Sequence, residues 1–124
     1  PEMLELHHIL STSFRNLRLV DLIADQLEPF TDVIKDLRKR HKSLPSLIAR
    51  AGQQLRERDI LDSKGVDEWI FKLMNSRMGT EMLTAHYISL LTDADINHIG
   101  IVDTKCDPAR ICAEAIRGVQ EMNE

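Results

Sequence analysis

Aromatic side chains are scarce in this sequence, because phenylalanine, tryptophan and tyrosine together make up only 4% of its 124 residues. The chain therefore has little surface on which the bases of a single-stranded nucleic acid can stack. Its formal net charge is −4, which gives no general attraction to a phosphate backbone. We expect no nucleic-acid partner.

Long apolar runs and reactive cysteine patterns are missing as well. The most apolar stretch, residues 78–91, contains Glu81 and is shorter than the roughly 20 apolar residues that cross a bilayer, so no transmembrane segment is expected. Only Cys106 and Cys112 are present, without a CxxC pattern or a nearby histidine, which predicts reduced thiols and no metal site. There is no Gly-rich phosphate loop and no recognisable nucleophile–base pair, so these residues alone indicate no catalytic group.

Apolar residues recur at helical spacing in four stretches, and the length suits one domain over residues 1–124. The first predicted helix covers residues 10–27, with Ser11 or Ser13 as its cap and Pro29 beyond its end. The second covers residues 30–58, and its buried seam is Phe30, Ile34, Leu37, His41, Leu44, Ile48, Ala51 and Leu55. Since Pro45 cannot donate to the carbonyl of His41, we expect a kink there rather than two separate helices.

The third predicted helix, residues 69–91, is apolar almost all the way round, which is typical of a helix that other helices surround. A loop with a short extended segment at residues 98–102 follows it. Asp107 then caps a fourth helix that has Pro108 in its first turn and the stripe Ile111, Ala115, Val119 and Met122. The pattern predicts an all-α fold, an up-and-down four-helix bundle with the third helix at its centre.

Arg77 and Glu81 lie four residues apart within the apolar third helix. One interpretation is an intrahelical ion pair at the margin of the bundle. The other is an anion pocket in which Arg77 grips a carboxylate, His41 adds a titratable donor from the second helix, and Arg38, one turn before His41, lines the same space. If His41 lies beside a bound carboxylate, acidification towards pH 6 should tighten binding.

Three segments resemble the amino-terminal helical domain of the mitochondrial 2-oxoacid dehydrogenase kinases, of the pyruvate and branched-chain types. They are residues 76–86 (SRMGTEMLTAH), residues 98–103 (HIGIVD), and residues 37–42 (LRKRHK) with Pro45 beyond them. The family has R-x-x-x-R-M-L-x-x-H on a buried helix, then H-I-G-x-I-D in a loop, and an R-x-R-H segment on the preceding helix. The resemblance covers approximately residues 10–119.

The resemblance implies a regulatory domain that docks the lipoyl-bearing domain of a dehydrogenase complex in the mitochondrial matrix. It also implies an allosteric pocket for small 2-oxoacids, formed here by Arg38, His41 and Arg77. The parent kinase phosphorylates a serine of the complex and inactivates it; ATP and Mg²⁺ would bind a separate domain that we expect to be absent from residues 1–124. No catalytic residue and no cofactor is expected within these residues.

At one position the sequence departs from the family, which has a second arginine where this chain has Glu81. A carboxylate there is expected to neutralise Arg77 and repel an anionic ligand. This motivates an alternative function, a kinase-derived, non-catalytic structural subunit of a larger mitochondrial assembly, with other subunits of that assembly as its partners. A stand-alone helical sensor of a small acid is a third hypothesis.

Overall fold

A computed structural model describes residues 1–20, 27–92 and 95–122 of the chain. Within these ranges the chain is mostly helical, which confirms the all-α class. The helices are α1 Glu2–Leu19, α2 Glu28–His41, α3 Leu44–Glu57, α4 Ser63–Thr92 and α5 Pro108–Met122. The strands are β1 His98–Ile99 and β2 Val102–Asp103. None of the helices in the described ranges is both long and apolar enough to span a membrane.

The first helix begins earlier than its sequence pattern predicted. It starts at Glu2, because Leu6 and Leu10 extend its apolar stripe towards the amino terminus and Leu6 is buried against α3. The described part of the helix ends at Leu19, and the predicted continuation through residues 21–26 lies outside the described residues.

The expectation of one kinked helix across residues 30–58 is wrong. The structure has two helices, α2 and α3, separated by Lys42 and Ser43, although both of these residues keep helical backbone angles. Pro45 lies in the first turn of α3 and has no N–H for the His41 carbonyl. The helical hydrogen-bond pattern resumes with the Leu47 N–H, which donates to the Ser43 carbonyl at 3.1 Å.

The core lies where α3 crosses α1 and α4. Helix α3 packs against both of them, and α2 also packs against α1 and α4. The fully or almost fully buried apolar side chains of this region are Leu6, Leu44, Leu47, Ile48, Ala51 and Val66. Two polar contacts join these helices at the surface, between Gln54 and Glu2 and between Arg56 and Asp67.

The up-and-down four-helix bundle is not confirmed, because α5 is exposed along its whole described length and makes no extensive contact with another helix. The prediction that other helices surround residues 69–91 is likewise not confirmed in the described ranges. In α4 only Val66 and Thr84 are buried. Its outward face keeps large apolar side chains exposed, namely Phe71, Met78, Met82, Leu83, Leu90 and Leu91.

The extended segment predicted near residue 98 is the start of a small antiparallel hairpin. His98 pairs with Asp103 and Ile99 with Val102, and Gly100 makes the turn with a φ of +59°. Glycine adopts this left-handed conformation without steric cost. The hairpin rests on α4, because the Ile101 N–H donates to Nδ1 of His86 at 3.3 Å.

Replacing Gly100 with alanine should lower the free energy of unfolding by about 1–3 kcal/mol, because a side chain there is strained at positive φ. The added Cβ would also clash with the imidazole of His86. Urea unfolding measures the effect. The matched control is Gly79→Ala in α4, where a Cβ meets nothing within 4 Å and should leave stability unchanged or raise it by up to about 1 kcal/mol. Equal stability of the two variants would contradict the prediction.

Candidate functional site

A small cavity of about 80 Å³ opens among α1, the junction of α2 and α3, and α4. Its lining consists of Leu6, Leu10, His41, Leu44, Ile48, Leu73, Ser76, Arg77 and Thr80. Five of these nine side chains are leucine or isoleucine, and no carboxylate is among them. The volume is well below the roughly 300–1,000 Å³ of pockets for drug-sized ligands, so the cavity suits a ligand of few heavy atoms.

His41 is the last residue of α2 and is 7% exposed. Its Nε2 lies 3.0 Å from the hydroxyl of Ser13 on α1, which is itself buried. Burial lowers the pKa of His41 below its usual value, and the positive charges of Arg40 and Arg77 lower it further, while Glu81 acts in the opposite direction. The imidazole is therefore neutral at neutral pH.

Arg77 contributes the charge of the cavity from the middle of α4. Its Nε is buried and has no hydrogen-bond partner among the described residues. A buried donor without a partner is costly, and in native proteins such a group commonly marks a place where a ligand or water binds. Ser76 and Thr80 lie beside it, and the Thr80 hydroxyl donates to the Ser76 carbonyl at 3.1 Å.

Arg38 points elsewhere. Its guanidinium forms an ion pair with Glu81 at 2.9 Å and also donates to the Glu81 carbonyl and the Thr84 hydroxyl, at 3.2 and 3.1 Å. It borders a separate open groove with Lys35, Lys39, Lys42 and Ile88. Within the described ranges, the carboxylate of Glu81 makes its ion pair with Arg38 and none with Arg77.

The structure thus brings together two of the three residues singled out in the sequence. His41 and Arg77 line one cavity, whereas Arg38 is held by Glu81 outside it. The sequence reasoning did not find Ser13, which contacts the imidazole. A signal was available, since Ser13 is a small polar residue on the apolar stripe of α1, where Leu6 and Leu10 also lie.

No group of three or more histidine, cysteine or acidic side chains in the described ranges is arranged to hold a metal ion. Both cysteines are exposed and free. The polar groups at the cavity are an arginine, a neutral histidine and two hydroxyls, which suits binding of an anion rather than covalent chemistry.

The fold and the cavity together define an all-α domain with a small, basic cavity in its helical core. The family model described as mitochondrial branched-chain alpha-ketoacid dehydrogenase kinase matches residues 1–103. The chain belongs to this family, and the matched region corresponds to its amino-terminal regulatory domain. By the family's name it is a mitochondrial protein with a dehydrogenase complex as its partner.

Proposed function

We propose that the cavity between His41 and Arg77 binds a small 2-oxoacid and that this domain thereby regulates a kinase that phosphorylates and inactivates a branched-chain 2-oxoacid dehydrogenase complex in the mitochondrial matrix. The observation that carries the proposal is Arg77, which lines a cavity to which no described residue contributes a carboxylate, and whose buried Nε has no partner in the described ranges. ATP and Mg²⁺ would act in another domain of the kinase.

The polar residues of the cavity lining match the carboxylate of such a ligand. A guanidinium is planar and permanently charged, and it binds carboxylates through paired hydrogen bonds. Since Glu81 pairs with Arg38, it leaves the charge of Arg77 available to a ligand. This weakens the argument for the non-catalytic structural subunit, which depended on the neutralisation of Arg77 by Glu81.

The apolar residues of the lining match a branched aliphatic body. Leu6, Leu10, Leu44, Ile48 and Leu73 line the rest of the cavity. Each methylene that a ligand buries there contributes about 0.8 kcal/mol. A branched-chain 2-oxoacid therefore gains more from this cavity than pyruvate does, which agrees with the branched-chain name of the family model.

In the assembled kinase, α5 packs onto the outward face of α4 and completes an up-and-down four-helix bundle. Two observations support this part of the proposal. The apolar residues of α5, including Ile111, Ile116 and Val119, are exposed, and so are the large apolar residues on the outward face of α4. Packing of the two faces against each other would remove both sets of apolar side chains from water. The completed domain docks the lipoyl-bearing domain of the complex, as membership of the family leads us to expect.

Calorimetric titration of the full-length protein with 4-methyl-2-oxopentanoate tests the proposed ligand. We expect saturable binding, weaker binding of pyruvate, and none of 4-methyl-2-pentanone, which keeps the apolar body but lacks the carboxylate. The ketone is the matched control, since it differs from the oxoacid only by a methyl group in place of the carboxylate. No heat of binding at millimolar 4-methyl-2-oxopentanoate would overturn the proposal.

A further inference from the structure

Ser13 is not among the residues that line the cavity, but it contacts His41, which is. Its side chain is 3% exposed, and its hydroxyl contacts Nε2 of His41 at 3.0 Å. Nε of Arg40 donates to the same hydroxyl oxygen at 3.4 Å. The contact joins α1 to the end of α2, so the orientation of the imidazole depends on a residue from another helix.

The direction of the Ser13–His41 hydrogen bond follows from the donors and acceptors that surround the Ser13 hydroxyl. Arg40 is always a donor, so the Ser13 oxygen accepts from it and keeps its own proton. If His41 also donated to that oxygen, the Ser13 O–H would have no acceptor among the described residues, and a buried donor without an acceptor is unfavourable. The Ser13 hydroxyl has a partner for both its oxygen and its proton only when the O–H donates to Nε2 of His41.

That direction fixes the tautomer of the imidazole. A neutral histidine whose Nε2 accepts a hydrogen bond carries its proton on Nδ1. Nδ1 of His41 has no partner in the described part of the chain, and Nε2 is engaged with Ser13. Nδ1–H is therefore the donor that His41 can offer to a molecule in the cavity.

We infer that Ser13 is a positioning residue, which holds the neutral imidazole of His41 so that Nδ1–H and the Arg77 guanidinium donate together to the carboxylate of the ligand. This rests on the proposed function and adds to it how the anion is recognised. The charged groups that face His41 are Arg40 on its own helix and Arg77 and Glu81 on α4, while its neighbours on α3, Leu44 and Ile48, are apolar. A neutral ring that already donates needs no proton to bind a carboxylate.

The inference predicts that ligand affinity depends little on pH between pH 7 and pH 8. The affinity for 4-methyl-2-oxopentanoate should change less than about twofold between pH 7 and pH 8, because the ring is neutral in the free and the bound protein. A site that had to take up a proton on binding would lose about tenfold in affinity over the same interval. This differs from the sequence-based expectation that acidification towards pH 6 tightens binding by protonating His41.

The experiment combines a tautomer measurement with a binding series, both on the full-length protein. In the ligand-free wild-type protein labelled with ¹⁵N-histidine, NMR should show His41 protonated on Nδ1. Ser13→Ala should lose this preference and bind 4-methyl-2-oxopentanoate about 3- to 10-fold more weakly, the effect of one hydrogen bond. Ser13→Thr, which keeps the hydroxyl, should restore both.

Ser11→Ala is the matched control, because it removes a hydroxyl from the same helix whose hydrogen bond goes to the His8 carbonyl and not to the cavity. It should leave both the tautomer and the affinity unchanged. Protonation of wild-type His41 on Nε2, or an unaltered affinity in Ser13→Ala, would overturn the assignment and leave the proposed function standing. Failure of the wild-type protein to bind the oxoacid would overturn both. The tautomer measurement on the wild-type protein is informative even if Ser13→Ala does not fold.

Discussion

Replacing Arg77 with glutamine is expected to weaken the binding of 4-methyl-2-oxopentanoate by about 30-fold or more. The substitution leaves the carboxylate of the ligand in an apolar cavity without its countercharge, and losing one partner of a buried, hydrogen-bonded charge pair costs about 2–5 kcal/mol. The fold should tolerate the change, because Nε of Arg77 has no partner among the described residues that would be left unpaired. Calorimetric titration measures the affinity, and thermal unfolding checks the fold.

Lys39→Gln is the matched control for Arg77→Gln. It removes one positive charge from α2, but Lys39 is exposed and borders the open groove beside Arg38 rather than the cavity. Its effect on binding should stay within about threefold, since exposed charges are screened by solvent and salt. If the two variants bind the oxoacid equally well, general electrostatic attraction explains binding and the cavity does not.

The largest loss of stability is expected from Leu47→Ala. Leu47 is 0% exposed, and it belongs to the cluster with Leu6, Leu44 and Ile48 where α1 and α3 meet. Truncation of a fully buried leucine removes apolar contacts and leaves a cavity, which together cost about 2–5 kcal/mol. Single domains are stable by only about 5–15 kcal/mol, so this is a large fraction of the total. Urea unfolding of the wild type and the variant gives the difference.

Leu4→Ala provides the comparison, because Leu4 lies on the outer side of α1 with 75% of its surface exposed. The same atoms are removed, but most of them are already in water, so stability should change by less than about 0.5 kcal/mol. A similar loss in both variants would mean that the packing of α1 and α3 differs from the structure described.

Helical periodicity identified most of the fold. The apolar seam predicted for residues 30–58 contains Ile34, Leu37, Leu44, Ile48 and Leu55, and all of them are buried. The break at Pro45 was located but underestimated, because the sequence does not reveal whether packing on both sides compensates for a missing hydrogen bond. The position of α5 was not predictable either, since an amphipathic pattern indicates that a face will be covered but not by which surface.

Of the three site residues chosen from the sequence, two line the cavity and one does not. His41 and Arg77 occupy positions within apolar seams, so their direction towards the core follows from helical geometry. Arg38 precedes His41 by almost one turn, yet its long side chain reaches across to Glu81. Long flexible side chains choose among several partners, and spacing along one helix does not determine that choice. The contact between Ser13 and His41 could be recognised only once the packing of α1 against α2 was known.

The interruption at Lys42 and Ser43 has a mechanical consequence. It falls immediately after His41, so His41 lines the cavity from the end of α2, while Leu44 and Ile48 line it from α3. Pro45 has no N–H to donate, so one backbone hydrogen bond is missing here. Bending between α2 and α3 therefore meets less resistance than bending within either helix. A change in the angle between α2 and α3 would therefore move His41 relative to Leu44 and Ile48, and would alter the length of aliphatic chain that fits between them.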